Sequence, residues 1–379
     1  MNKQPTGAPK HEHSVPFFWP INMLAELDEA GLETIQRNLD FLGEVEKEAF
    51  ELEPAWATAN KILYDLNTMR LRDFSNDSTS RSKDAVPTII DAPYAGHSST
   101  IADYAKGQSL VETLQACGLR RVLCMDWKSA TEAMKDYNID IYLAEINAIV
   151  DDLGGRVNLV GLCQGGWMAG MYAARFPHKV ATLVAAGAPL DAGAGDGFVK
   201  RIAAEQPMTF FQGVVKLGGG LLRGKVMLAS WKSMHPEEHY FKTYLDLYEH
   251  VEDPAYIKKR EAFTRWYERP IDLPGRWYLQ AVEHLFKNNE FCKGTFVALG
   301  RKIGLRDIIC PTFLLAGDRD DITPSAQVFE AANKLGTSRE SIVKKMTPGG
   351  HIGLFMGTKT LKEQWPVIGK WIRETSVGS

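Results

Sequence analysis

Apolar residues change their period along this chain. Between Phe17 and about Phe74, Met23, Leu24, Leu27, Leu32, Ile35, Leu39, Phe41 and Leu42 recur at three- and four-residue steps among acids and bases, which predicts helix. Such a stripe packs on a main domain or, alternatively, docks on an apolar surface. The polar stretch 75–84 reads as a loop. From Pro87 onward, short β-like runs alternate with helical ones: 87–92 then 99–116, 121–127 then 139–153, 157–162 then 165–176, and finally 180–186. This repetition implies a mostly parallel sheet with crossover helices on both faces, an α/β class. The alternation stops at Pro189 and resumes with a strand at 311–317, a helix at 325–335, a strand at 341–346 and a last helix at 359–375.

The pattern divides the chain into a tail and helical segment (1–84), an α/β core (85–189 and 308–379) and an inserted helical cap (190–307). The cap is rich in aromatics, among them Phe210, Phe211, Trp231, Trp266, Tyr267, Trp277 and Tyr278. Most are expected to form the cap's own core, and a subset to wall an apolar substrate cleft. The run 216–225, Lys-Leu-Gly-Gly-Gly-Leu-Leu-Arg-Gly-Lys, lacks the spacing of a phosphate-binding loop and no strand precedes it. It reads as a flexible basic entrance segment.

Composition narrows the function classes. At 379 residues with a net charge of −3, the chain shows no electrostatic signature of a nucleic-acid binder. No apolar run reaches the roughly 18 to 20 residues of a membrane span, and the first thirteen residues lack the apolar core of a signal peptide. A cytoplasmic protein is expected. Cys117, Cys124, Cys163, Cys292 and Cys310 form no CxxC pair and no disulfide framework, so reduced thiols are expected and no metal or nucleotide cofactor is implied.

Cys163 alone has a special context. Residues 157–167 read Val-Asn-Leu-Val-Gly-Leu-Cys-Gln-Gly-Gly-Trp, an apolar run ending in Gly161-x-Cys163-x-Gly165-Gly166 and opening into a helix. In the serine form of this nucleophile elbow, a strand turns so sharply into a helix that the central side chain stands above the sheet. A thiol there points to acyl transfer through a thioester, whereas the plain alternative is a buried structural cysteine. A thiol nucleophile needs a base, and the base an orienting carboxylate. On an α/β-hydrolase scaffold they follow in the order acid, then histidine. Asp320, in Gly317-Asp-Arg-Asp-Asp-Ile-Thr-Pro324, and His351, in Thr347-Pro-Gly-Gly-His-Ile-Gly353, each follow a late strand. Spacing from Gly317 and Pro324 favours Asp320 over Asp318 and Asp321. Oxyanion donors are expected from the backbone N–H of Gln164 and of Tyr94, with Ala95 as the alternative to the latter. Trp127, Trp167, His97 and Trp231 are the candidate substrate contacts, although a structural or capping role competes for His97.

The elbow 161–166 and the histidine loop 348–353 resemble those of polyhydroxyalkanoate synthases, especially the short class that works with a second subunit. The stretch Asp91-Ala-Pro-Tyr-Ala-Gly-His97 and the cap segments 231–236 and 270–280 are closer to intracellular polyhydroxybutyrate depolymerases. The resemblance spans about residues 85–375, and both families use Cys, Asp and His on an α/β-hydrolase fold. Synthases typically carry His directly after the catalytic Asp, where this chain has Asp321 as depolymerases do. Depolymerases usually carry Pro two residues after the catalytic Cys, where this chain has Gly165. Weighting the cap and Asp321, the resemblance implies a thiol esterase of poly- or oligo-3-hydroxyalkanoates. The alternatives are a synthase that polymerises 3-hydroxyacyl-coenzyme A and a non-catalytic granule-binding protein. Expected partners are the polyester or hydroxyacyl substrate, a polyester-granule surface and a second copy of the chain.

Overall fold

A computed structural model describes residues 54–75, 86–234 and 262–376. Eight strands form one sheet: β1 (Lys61–Asp65), β2 (Met69–Asp73), β3 (Thr88–Asp91), β4 (Val122–Trp127), β5 (Val157–Leu162), β6 (Val180–Ala186), β7 (Thr312–Gly317) and β8 (Ile342–Thr347). Their spatial order is β1-β2-β4-β3-β5-β6-β7-β8. Every pairing from β4 to β8 is parallel, whereas β2 runs antiparallel to both its neighbours. Strands β3 to β7 are buried along their whole length, as expected of parallel strands covered on both faces by helices.

The crossover helices divide between the two faces. Helices α1 (Leu110–Ala116) and, at the C-terminal end, Trp365–Ser376 cover one face, which takes Ile90, Val160, Val184 and Phe313. On the opposite face α2 (Ile139–Asp152) and α3 (Gln164–Arg175) cover Ile89, Leu159, Leu183 and Leu314. Neighbouring residues of each strand thus feed different cores, the two-residue period of a pleated sheet. Helix starts follow local chemistry. The side chains of Ser109 and Asn138 accept N–H bonds from Glu112 and Ile141 at the first turns of α1 and α2. Across β3, β5 and β6, Asn158 donates to Thr88 Oγ1 and accepts from Thr182 Oγ1, which satisfies three buried polar side chains at once.

Two sequence expectations need correction. The helical expectation for 17–74 lies outside the described residues up to 53; beyond that, residues 61–73 form the β1–β2 hairpin of the main sheet. The core domain therefore begins near residue 60, not 85. In β2, Met69, Leu71 and Asp73 alternate inward with Arg70 and Arg72 outward, a strand pattern too short to stand out against the preceding helical period.

The insertion 190–307 is not purely helical. It holds α4 (Phe198–Glu205), α5 (Met208–Leu217), α6 (Gly224–Met234) and α7 (Gly275–Gln280), with a helical turn at 262–267. A π-helical stretch, Ala281–Lys287, extends α7. Its described residues also include two small antiparallel pairs, Leu221–Leu222 with Leu273–Pro274 and Phe296–Ala298 with Arg301–Ile303. The glycine-rich run 216–225 is thus an ordered turn into a bridge rather than a loose entrance.

Candidate active site

The C-terminal end of β5 carries Cys163, the candidate nucleophile. Cys163 has φ 51° and ψ −114°, a left-handed backbone at a non-glycine residue that costs on the order of 1–3 kcal/mol unless its surroundings hold it. They do: Cys163 N–H donates to Ala186 O at 2.8 Å, and Gly166 N–H to Cys163 O at 2.9 Å. The flanking glycines are required by contact. A Cβ on Gly165 would lie 2.1 Å from Asp91 O, and one on Gly161 2.4 Å from the Gly166 Cα. Helix α3 can press onto β3 and β5 only because these side chains are missing.

The candidate acid and base, Asp320 and His351, stand on neighbouring loops. Asp320, after β7, accepts the N–H groups of Ile322 and Thr323 on Oδ1, at 3.1 and 2.8 Å, which aims Oδ2 at His351 Nδ1, 2.7 Å away. Both side chains are buried. Asp318 is half exposed and plays another part, accepting the Gly349 N–H at 2.8 Å and so tying the acid loop to the histidine loop. Burial acts to lower the pKa of His351, but the negative charges of Cys163 and Asp320 outweigh it and hold the imidazole well above its ordinary value. Its Nε2 makes no hydrogen bond of ordinary geometry, yet it faces Cys163 closely enough for charge to couple the two. An imidazole between a carboxylate and a sulfur can accept a proton when neutral and return it as imidazolium.

Gln164 is the first residue of α3, and Tyr94 lies in the loop after β3. Among the described residues neither backbone N–H meets a backbone carbonyl, which leaves both available to an oxyanion. The candidate substrate contacts fare differently. Trp127 is buried, and its Nε1–H donates to Ala92 O at 2.8 Å, so it braces the loop after β3 instead of lining a cleft. Trp167 is also buried, packed 5.6 Å from the Trp277 ring of the cap. Trp231 donates to Ala95 O at 3.4 Å, and His97 is stacked on Trp266 and Tyr267. All four sit around the site; the two buried ones have no face to offer a substrate.

Sequence reasoning missed Asp91 and Trp277. Asp91 is fully buried at the end of β3 beside Gly165, its carboxyl oxygens make no hydrogen bond of ordinary geometry, and burial pushes its pKa well above the ordinary value. The signal was a carboxylate ending an otherwise apolar run. Trp277, fully buried, contacts the rings of Tyr94, Tyr142 and Trp167 together and so pins the cap to the loop after β3, to α2 and to α3. Among the described residues no cluster of His, Cys, Asp or Glu is placed to hold a metal ion, and no helix is long and apolar enough to cross a membrane.

Comparison with known proteins places these features in a lineage. The chain is 28% identical over 295 residues to the poly(3-hydroxyalkanoate) polymerase subunit PhaC of Allochromatium vinosum, a match covering 76% of this chain and 79% of that protein. It is 27% identical over 331 residues to the subunit of the same name from Haloferax mediterranei, covering 84% of this chain but only 64% of the relative. A monoacylglycerol lipase from Paleococcus ferrophilus shares the fold, with a TM-score of 0.51 at 17% identity over 81% of this chain and 99% of the lipase. The chain is an enzyme of the α/β-hydrolase fold. Its relatives support the polyhydroxyalkanoate synthase group and not the depolymerase branch toward which the cap and Asp321 had pointed. A family model described as "Protein of unknown function (DUF3141)" matches residues 60–371, from the first strand of the sheet into the last helix, and the chain belongs to that family.

Proposed function

We propose that this protein is a cysteine acyltransferase that takes 3-hydroxyacyl groups from coenzyme A and joins them into a polyester. The observation that carries the reading is a thiol elbow, paired with the Asp320–His351 dyad, in a chain whose relatives are named poly(3-hydroxyalkanoate) polymerases. Cys163 sulfur adds to the acyl carbonyl, the oxyanion rests on the N–H groups of Gln164 and Tyr94, and the carbon–sulfur bond to coenzyme A breaks. His351 gives its proton to the departing thiolate. The hydroxyl of a second hydroxyacyl group then attacks the enzyme thioester and passes its proton to the now neutral His351. An ester forms and Cys163 leaves as thiolate.

Hydrolysis is the second reading, favoured by Asp321 directly after Asp320 and by the depolymerase-like cap segments. The two differ only in whether an alcohol or water receives the acyl group. Incubation with 3-hydroxybutyryl-coenzyme A distinguishes them. Both routes release free thiol from this donor, but polymerisation leaves chloroform-soluble polymer, whereas hydrolysis leaves soluble 3-hydroxybutyrate and no polymer. A wild-type protein that releases thiol no faster than Cys163→Ala would overturn the acyltransferase reading, and one that also frees 3-hydroxybutyrate from oligomer no faster than that variant would overturn hydrolysis.

A further inference from the structure

The loop 93–98 is held from two sides. The core holds its ends: Trp127 Nε1–H reaches Ala92 O at 2.8 Å, and Trp127 N–H reaches Ser99 Oγ at 3.0 Å. The cap holds its middle. Ala95 O accepts from Trp231 Nε1–H at 3.4 Å, Gly96 O from Ile271 N–H at 2.8 Å and Ser98 O from Trp266 Nε1–H at 2.9 Å. His97 lies between the Trp266 ring, 4.7 Å away at 27°, and the Tyr267 ring, 5.1 Å away at 19°, with its Nε2 3.1 Å from Tyr267 O. A carbonyl only accepts, so Nε2 carries the proton. Burial pushes the His97 pKa down to about 4, which keeps the ring neutral near pH 7. Gly96 has φ 89°, and a Cβ there would come within 2.9 Å of Met227 Sδ on α6, so loop and cap are in direct contact. The cap is itself tied to the core through residue 272: Ala130 N–H donates to Asp272 O at 2.9 Å and Asp272 N–H to Ser129 Oγ at 3.0 Å.

We propose that the oxyanion site is assembled by the cap, with His97 and Trp266 as positioning residues that hold loop 93–98 in the shape that aims the Tyr94 N–H at the reacting carbonyl. Without the docked cap, the carbonyls of residues 95 and 96 lose their donors and Ser98 O keeps only the longer bond from Ile101 N–H at 3.4 Å, so the core still holds the Tyr94 side chain, through Lys128 O and Tyr142, but no longer the backbone that follows it. The nucleophile does not depend on this clamp, because Cys163, His351 and Asp320 are positioned by β5, β7 and their own loops. The inference rests on the thioester reading of Cys163 but not on the identity of the acyl donor.

Two chemistries of the same sulfur test it. Alkylation by iodoacetamide needs the nucleophile alone, whereas acylation passes through an oxyanion. His97→Phe keeps a flat ring for stacking and loses the N–H; Trp266→Phe loses the donor to Ser98 O. Either variant should slow acylation of Cys163 by p-nitrophenyl butyrate, read as the nitrophenolate burst, on the order of 10- to 100-fold, approaching the loss for one oxyanion donor. The alkylation rate should stay within about twofold of wild type, since the Cys163 thiol and the Asp320–His351 dyad are untouched. Unchanged acylation in both variants overturns the proposal, and so does a parallel fall of both rates, the mark of a merely structural role. If wild type is acylated by the ester but not by 3-hydroxybutyryl-coenzyme A, the substrate reading falls and the clamp stands on the ester result. If neither donor acylates Cys163, both fall.

Discussion

His351 is the residue on which the charge of the site converges, and its titration ties catalysis to stability. Its folded pKa lies well above that of a free imidazole because the Cys163 and Asp320 charges overcome burial. A group whose pKa is raised by folding stabilises the protein fully below its unfolded value of about 6.5, and that contribution fades as pH rises through the folded value. The stability difference between wild type and His351→Gln, measured by urea unfolding, should therefore be larger at pH 6 than at pH 10; the reverse order would refute the charge assignment. Asp320→Asn should leave the fold in place yet cut acylation by roughly 10³–10⁴-fold, because an amide no longer fixes the proton on Nδ1 or stabilises the imidazolium. Burst kinetics beside a circular-dichroism control would measure it, and a loss under tenfold would remove Asp320 from the dyad. The placement of Cys163, Asp320 and His351 on neighbouring loops was legible in the sequence because strand order and loop position constrain it. Spacing also separated Asp320 from Asp318, whose carboxylate holds the Gly349 N–H instead. The aromatic contacts were not legible, since type and proximity do not tell which face a ring presents. Trp127 and Trp167 point into packed interior.

Helix α3 shows how a few missing atoms set the position of a whole element. Alanine is better than glycine in a helix by about 1 kcal/mol. At residue 165, however, its methyl would sit 2.1 Å from Asp91 O, far inside van der Waals contact with backbone that cannot yield. Overpacking of this kind costs typically 1–3 kcal/mol, so the clash outweighs the propensity gain. Gly165→Ala should lower the thermal midpoint and, because α3 must retreat from β3 and carry the Gln164 N–H with it, slow acylation further than stability alone explains. A variant as stable and as active as wild type would disprove the close approach. The elbow's glycines announced this contact, but its partner was hidden. Asp91 lies 74 residues before Gly165, and only the parallel pairing of β3 with β5, which sets Asp91 opposite Gly161, brings the two segments together. The β1–β2 hairpin was illegible for another reason: five-residue strands following a long helical stripe carry too little period to announce themselves.

Across the whole molecule, the hairpin and the cap act on the same loop from different distances. Strand β2 pairs with β4 over five residues, Met69 with Trp127 through Asp73 with Leu123, and so covers the edge that β4 would otherwise present to solvent. Arg72 strengthens the joint: its guanidinium bonds Asp126 Oδ2 at 2.7 Å and Asn60 Oδ1 at 3.0 Å, and it lies over the Trp56 ring. Trp127, at the end of this paired edge, is the side chain that braces Ala92 and Ser99 beside the oxyanion loop. A chain beginning at residue 87 should therefore fail in two ways. Its uncovered, apolar β4 edge is a template for intermolecular pairing, which predicts large aggregates by light scattering where the full chain gives a defined species. Any fraction that stays dispersed should react with iodoacetamide at Cys163 but acylate slowly, because the Trp127 brace has lost its support. A dispersed, cooperatively unfolding protein with a full nitrophenolate burst would show that the hairpin is an ornament on the sheet, and that β3 and the cap alone set the oxyanion loop.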